Sequence, residues 1–288
     1  ADHEVRLWDL GRGATAHVLK GHQAAVRVVA FSPDGSRLAT GGEDRTVRVW
    51  SPAAGREAGP PVPLPDDVTA LGFTPRGRAL VAGTARGHLL HVDPATGQAR
   101  GYVGVEPGAP AGKPAHPAGI VAVLAPPDGS ALYTIAQDRT AHAWPSAGPP
   151  QAPRIAYRSG HPVTAVALSA DGRTVATGGA DGVIHLWDSA SARKLGDLPA
   201  HPGGVTGLVF GAGGRLVSSG ADERVRVWDT ASGQVTHTLI QPTADLRIAL
   251  SPDGRTLAVG GRKFAGVTLV DLSAAGRPRR FGEWAGPV

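Results

Sequence analysis

The 288 residues include no cysteine and no methionine. Without cysteine the chain can form neither disulfides nor thiolate metal sites, so its stability must come from packing alone. Without methionine it does not start at a natural initiator, and the expectation is a product processed or cut from something longer. No apolar run approaches the ~20 residues that a membrane-spanning helix needs. Aromatic residues make up only 5% of the chain, which leaves few rings to stack on nucleic-acid bases. Lysine is nearly absent: four residues against twenty-five arginines. That bias, with abundant Ala, Gly, Pro and Val, points to a GC-rich, bacterial-type source. The net charge of +5 therefore carries little functional weight. Phosphate-binding and dinucleotide-binding glycine motifs and the G-x-S-x-G nucleophile motif are also missing.

Turn formers are plentiful, with 41 Gly and 25 Pro, and they fall at regular places. The stretch His161–Asp188, HPVTAVALSADGRTVATGGADGVIHLWD, reads as three short strands (VTAVALS, TVAT, VIHLWD). Ala170-Asp171-Gly172-Arg173 and Gly178-Gly179-Ala180-Asp181-Gly182 are read as the turns between them. The unit recurs. Residues equivalent to Trp187 stand at 8, 50, 92, 144, 187, 228 and 270, with steps of 42, 42, 52, 43, 41 and 42. The one long step holds a Pro/Gly-rich segment, Gly104 to Pro117, expected to be an exposed loop. Within the unit four polar or amphipathic residues keep their spacing. They are His22, Thr40, Asp44 and Trp50; His116, Thr134, Asp138 and Trp144; His161, Thr177, Asp181 and Trp187; His201, Ser218, Asp222 and Trp228. The second unit has Leu64, Ala82, Arg86 and Val92 at these places. The sixth has Gln241, Val259 and Val270 at three of them, so both are expected to rely on packing and turns.

A period near 42, a His before the first strand and Trp closing the third resemble the WD40-repeat family of β-propellers. The resemblance covers essentially the whole chain. It implies an all-β fold, a WD-repeat β-propeller expected as a seven-bladed ring with one blade incomplete. The expected divisions are a half-blade at 1–21 and blades at 22–63, 64–115, 116–160, 161–200, 201–240 and 241–288, within a single domain. Runs such as VRVVAF, VTAVAL and VTGLVF fit strands covered on both faces.

A His, a Ser/Thr and an Asp in each unit invite a catalytic-triad reading with Thr177 as nucleophile. Repetition argues against it, because an active site is built once and this set appears four times. The resemblance implies that the indole, hydroxyl, imidazole and carboxylate form a hydrogen-bonded chain pinning each blade. His88 and His91, three apart on an expected strand, point to opposite faces and do not suggest a metal site. Arg37, Arg78, Arg173, Arg215 and Arg255 all follow the first hairpin turn, with Arg277, Arg279 and Arg280 near the end. They raise a basic-face reading, with nucleic acid an unlikely ligand and an acidic ligand the variant. The expected function is a non-catalytic scaffold for protein–protein interaction, part of a larger bacterial signalling or regulatory protein. The expectation is a cytoplasmic monomeric ring with no cofactor and no metal. The rival is a propeller enzyme with a central-channel site. In the resembling family partners favour the face with the second and fourth connections of each blade. Carried over, that face includes Arg27 and Glu43; Asp67 and Thr69; Gln137; Thr164; Thr206; Asp245 and Arg247. Arg27 and Arg247 are the expected anchors.

Overall fold

The computed structural model of the chain describes residues 3–9, 12, 14–75, 77, 79–93, 96, 98–101, 114–126, 129, 131–145, 154–158, 160–240, 246–251, 253–261, 267–272 and 279–281. Asp245, Gln241, Arg78, Arg277 and most of the Gly104–Pro117 segment lie outside this set. The described residues form antiparallel strands, and the one helical element is a short 3-10 turn at Ala212–Gly214. None is a helix long and apolar enough to cross a membrane.

The chain forms two compact units, Ala1–Arg158 and Ser159–Val288. The first begins with a two-stranded sheet, β1 (Val5–Asp9) and β2 (Ala14–Leu19). Next come β3 (Val26–Phe31), β4 (Leu38–Gly42) and β5 (Thr46–Ser51), whose outer neighbour is split into β6 (Arg56–Glu57) and β7 (Val62–Pro63). Between those two pieces stand Pro60 and Pro61, which have no N–H to give to β5. The following sheets are β8 (Val68–Phe73), β9 (Leu80–Thr84), β10 (Leu89–Asp93) and β11 (Gln98–Gly101), then β12 (Ile120–Leu124), β13 (Ala131–Ala136), β14 (Thr140–Pro145) and β15 (Arg154–Arg158). The second unit repeats the plan three times. It holds β16 (Val163–Leu168), β17 (Thr174–Gly179), β18 (Val183–Asp188) and β19 (Lys194–Pro199); β20 (Val205–Phe210), β21 (Arg215–Gly220), β22 (Arg224–Asp229) and β23 (Gln234–Ile240); and β24 (Leu246–Leu250), β25 (Thr256–Gly261), β26 (Val267–Asp271) and β27 (Arg279–Phe281). Each sheet is a meander of consecutive strands, so the first and third turns share one end and the second turn and the linker to the next sheet share the other.

Apolar side chains from facing sheets make the cores. Val47, Val49 and Ala39 meet Val68, Leu71, Phe73 and Val92. In the second unit Ala165, Ala167 and Ala176 meet Val205, Leu216 and Trp228, while Val217, Val225 and Val227 meet Leu246, Leu257 and Val270. Two readings of the sequence change here. Gly178 and Gly179 are the last residues of β17 and not part of a turn. A Cβ on Gly178 would lie 2.6 Å from Val205 Cγ1, so glycine is set by the close approach of the next sheet. Gly41 against Val68 and Gly83 against Ile120 repeat the contact at 2.5 and 2.6 Å. The run VRVVAF of β3 is also not covered on both faces, because Val29 and Phe31 are 54% and 56% exposed.

Candidate interaction surface

Three units hold the same chain of hydrogen bonds. In the first, the Trp50 indole N–H donates to Thr40 Oγ1 at 2.8 Å, and His22 Nε2 lies 2.7 Å from that oxygen. His22 Nδ1 is 2.7 Å from Asp44 Oδ2. An indole can only donate, so Thr40 Oγ1 accepts from Trp50 and turns its own hydrogen to His22 Nε2. That assigns the imidazole proton to Nδ1, where it donates to the carboxylate. The backbone N–H of Gln23, and both the N–H and hydroxyl of Thr46, complete the bonds to Asp44. The third unit repeats this with Trp144, Thr134, His116 and Asp138, at 2.8, 2.8 and 3.1 Å along the chain. The fifth uses Trp228, Ser218, His201 and Asp222, at 2.8, 2.7 and 2.7 Å.

The electrostatics fit a neutral imidazole on an ionised carboxylate. Burial holds His22, His116 and His201 below the usual histidine pKa and outweighs the opposing pull of their aspartates. Burial acts to raise Asp44, Asp138 and Asp222, but the hydrogen bonds they accept win and hold them below the carboxylate range. Thr40, Thr134 and Ser218 are fully buried. A hydroxyl that no substrate can touch, already bonded on both sides, is not placed to act as a nucleophile.

The other units depart from this pattern. His161 is exposed and does not fill the buried place of His22. Trp187 still donates to Thr177 at 3.0 Å, but Asp181 pairs with His185 at 3.1 Å, and His185 in turn with Asp197 at 2.6 Å. The second unit, expected to lack a polar network, has one. His88 Nδ1 lies 2.6 Å from Asp66 Oδ2, Arg86 Nε is 3.3 Å from Asp66 Oδ1, and the His88 backbone N–H donates to Thr84 Oγ1 at 3.1 Å. The pair spans 22 residues, as His22 and Asp44 do, with acid and base exchanged. That shared separation was the readable signal. Among the described residues no three His, Asp or Glu side chains are grouped to hold a metal.

The face with the second turns is built alike in successive sheets. The turn N–H of Glu43, Ala85, Gln137 and Ala221 donates to the carbonyl of Ala25, Asp67, Gly119 and Gly204 respectively, at 2.9 to 3.0 Å. Arg27 is ion-paired with Glu43, and Gln137 is exposed in its turn. The threonines proposed for this face are largely committed elsewhere. Thr69 donates to Ile120 O at 2.6 Å and Thr164 to Val205 O at 2.5 Å, each tying its sheet to the next, while Thr206 lies 3.1 Å from Ser219 Oγ. Arg247 is exposed, with its guanidinium 3.3 Å from Leu246 O. Between the first two sheets this face opens into a pocket of about 340 Å³ lined by Arg45, Pro65, Asp66, Asp67, Ala85 and Arg86.

A family model described as "WD domain, G-beta repeat" matches residues 13–51, 154–188 and 192–229. With the repeated four-stranded sheets, that settles the family. The chain is a WD40-repeat protein of the β-propeller class. Its relatives include the periodic tryptophan protein 2 homolog of Schizosaccharomyces pombe, 34% identical over 86 residues, which are 30% of this chain and 10% of the relative. The protein groucho of Drosophila melanogaster is 34% identical over 89 residues, 31% of this chain and 12% of that one. The chain thus matches only about a tenth of the length of these relatives. The computationally designed Ika8 protein, seen by crystallography, is similar at TM-score 0.71 and 25% identity, over 97% of this chain and 81% of its own.

WD40 propellers typically serve as protein-interaction scaffolds. In this WD40 chain the repeated polar residues face inward, while Arg45 and Asp67 line an open pocket with no side-chain partner among the described residues. Asp66, in the same pocket, is already engaged by His88 and Arg86. One guanidinium and one carboxylate therefore remain for a ligand. Neither stood out in the sequence as the centre of a site: Asp67 was one of many equivalent positions, and Arg45 lies in a turn where its backbone φ is +59°.

Proposed function

We propose that this chain is a non-catalytic scaffold that binds a protein or peptide partner on the second-turn face of its first two blades, around Arg45, Asp67 and Arg86. The observation that carries the proposal is the pocket with an uncommitted Arg and Asp at its rim, beside the ion-paired Arg27 and Glu43. Partly desolvated charges of both signs favour a partner segment that brings a carboxylate to Arg45 and an amine or amide to Asp67. Arg is also enriched among interface hot spots. The propeller would serve as an attached module in a larger bacterial signalling or regulatory protein, as its relatives carry their matching repeats in about a tenth of their length.

The test is affinity capture with the wild-type chain, followed by titration of the captured protein against three variants. Arg45→Glu and Asp67→Lys should each weaken binding by about tenfold or more, and more strongly at low salt. Arg173→Glu with Arg255→Glu, at the opposite end of the sheets, should leave it unchanged. Binding lost only in the latter pair would move the site to the first-turn face and overturn the reading.

A further inference from the structure

The first inner strand, β3, has a face that its counterparts keep covered. In β8 the residues Val68, Leu71 and Phe73 are 0%, 7% and 8% exposed. They pack beneath small apolar side chains of the preceding sheet, among them Val28, Ala30 and Ala39. In β20 the matching Val205, Leu208 and Phe210 pack beneath Ala165, Ala167 and Ala176. The corresponding set in β3 is Val26, Val29 and Phe31, with Val29 54% and Phe31 56% exposed. The sheet on this side, β1–β2, has only two strands, and it covers the outer part of the neighbouring sheet through Val5, Leu7 and Leu19 against Leu38 and Trp50.

Two further features mark the same gap. Strand β1 pairs only with β2 among the described strands, so its other edge is open. Trp8, at the place where Trp50, Trp144, Trp187 and Trp228 each donate to a Ser or Thr two strand positions away, has no hydrogen-bond partner among the described residues. An open edge, an uncovered Val–Phe face and an unmatched indole N–H coincide in one place.

We infer that this gap is an acceptor site for a β-hairpin on a separate polypeptide segment, held by strand addition to β1. The other described strands are already paired in their own sheets, so the occupant is not one of them. The partner's chemistry follows from the covered interfaces. Its first strand carries small apolar residues on the face towards β3. Its second strand pairs with β1 and has a Ser or Thr opposite Arg6, where the hydroxyl accepts from Trp8, as Thr177 stands opposite His185 and accepts from Trp187. The inference is independent of the pocket at Arg45 and Asp67.

A synthetic peptide of residues 161–179, HPVTAVALSADGRTVATGG, meets both requirements and is the probe. Added to the chain, it should slow amide exchange along Val5–Asp9 and raise the Tm. Phe31→Asp alters a side chain that is already exposed, so it should leave the chain's own Tm unchanged while weakening peptide binding by about tenfold or more. A peptide with Thr177→Val should bind less tightly to the wild-type chain but equally well to Trp8→Phe. No protection of Val5–Asp9 at saturating peptide would overturn the inference, as would equal affinity for Phe31→Asp. A dimer with β1 already protected before peptide is added would assign the site to a second copy and overturn it as well.

Discussion

At the scale of single residues, an imidazole fixed at both nitrogens has no freedom to act as a base. His22 is held by Thr40 and Asp44, and the same is true of His116 and His201. Each net hydrogen bond contributes about 1 kcal/mol, and a buried partner left without its mate costs roughly 1–3 kcal/mol. Asp44→Ala should therefore destabilise by about that amount, and so should Asp66→Ala in the second blade, where the exchanged pair with His88 was not expected. Arg86→Ala should be mild, since that side chain is 81% exposed. Chemical denaturation of the three variants checks the order. The quartets of the first, third and fifth blades were legible because identical residue types recur at identical spacing. The Asp66–His88 pair was not, because the fold meets the same need from positions shifted within the repeat. His161 shows the reverse: the motif is intact in sequence, yet the side chain is exposed and His185 serves Asp181.

The histidines also set a pH dependence. His142 stacks on His116 with ring centroids 4.0 Å apart, and its Nδ1 is buried without a partner. Burial, aided by the charge of His116, pushes His142 down to about 4. Its folded pKa lies below the unfolded value of 6.5, so the unfolded chain takes up the proton first. The stability it contributes is complete above about pH 6.5 and is lost as pH falls towards about 4. Asp44, Asp138 and Asp222, also depressed, extend the loss to lower pH. The Tm should fall steadily between pH 7 and pH 4.5, and less steeply in His142→Phe. Equal slopes for the two proteins would show that this stacked pair does not govern acid sensitivity.

At the scale of elements, neighbouring sheets come together where a β4-type strand ends. Gly41, Gly83 and Gly178 leave room for Val68, Ile120 and Val205. The sequence displayed these glycines as turn signals, since Gly-Gly-x-Asp is also turn chemistry. Only the approach of the next sheet reveals that space, and not φ, is what the position needs. Gly178→Val should overpack this contact and cost roughly 1–3 kcal/mol, seen as a lower denaturation midpoint with an unchanged slope. Thr164→Val nearby keeps the volume but loses the 2.5 Å bond to Val205 O, and should cost about 1 kcal/mol.

For the molecule as a whole, repetition separates scaffold from surface. Positions occupied alike in several blades, such as Trp50, Trp144 and Trp228, hold the sheets together. Positions that differ from blade to blade, such as Arg45, Asp67 and Arg86, are free to recognise something. The strand periodicity, the repeat count and the interaction class could be read from sequence because they rest on many equivalent residues. The pocket could not, because it depends on two neighbouring sheets placing unlike turns side by side. The most direct test compares Asp67→Lys with Asp222→Ala for both Tm and affinity for the captured partner. Asp67→Lys should lose about tenfold or more in affinity at an unchanged Tm. Asp222→Ala should lower the Tm yet bind normally below it. An Asp222→Ala chain that melts like wild type but no longer binds, beside an Asp67→Lys chain that binds fully, would contradict the division between scaffold and surface.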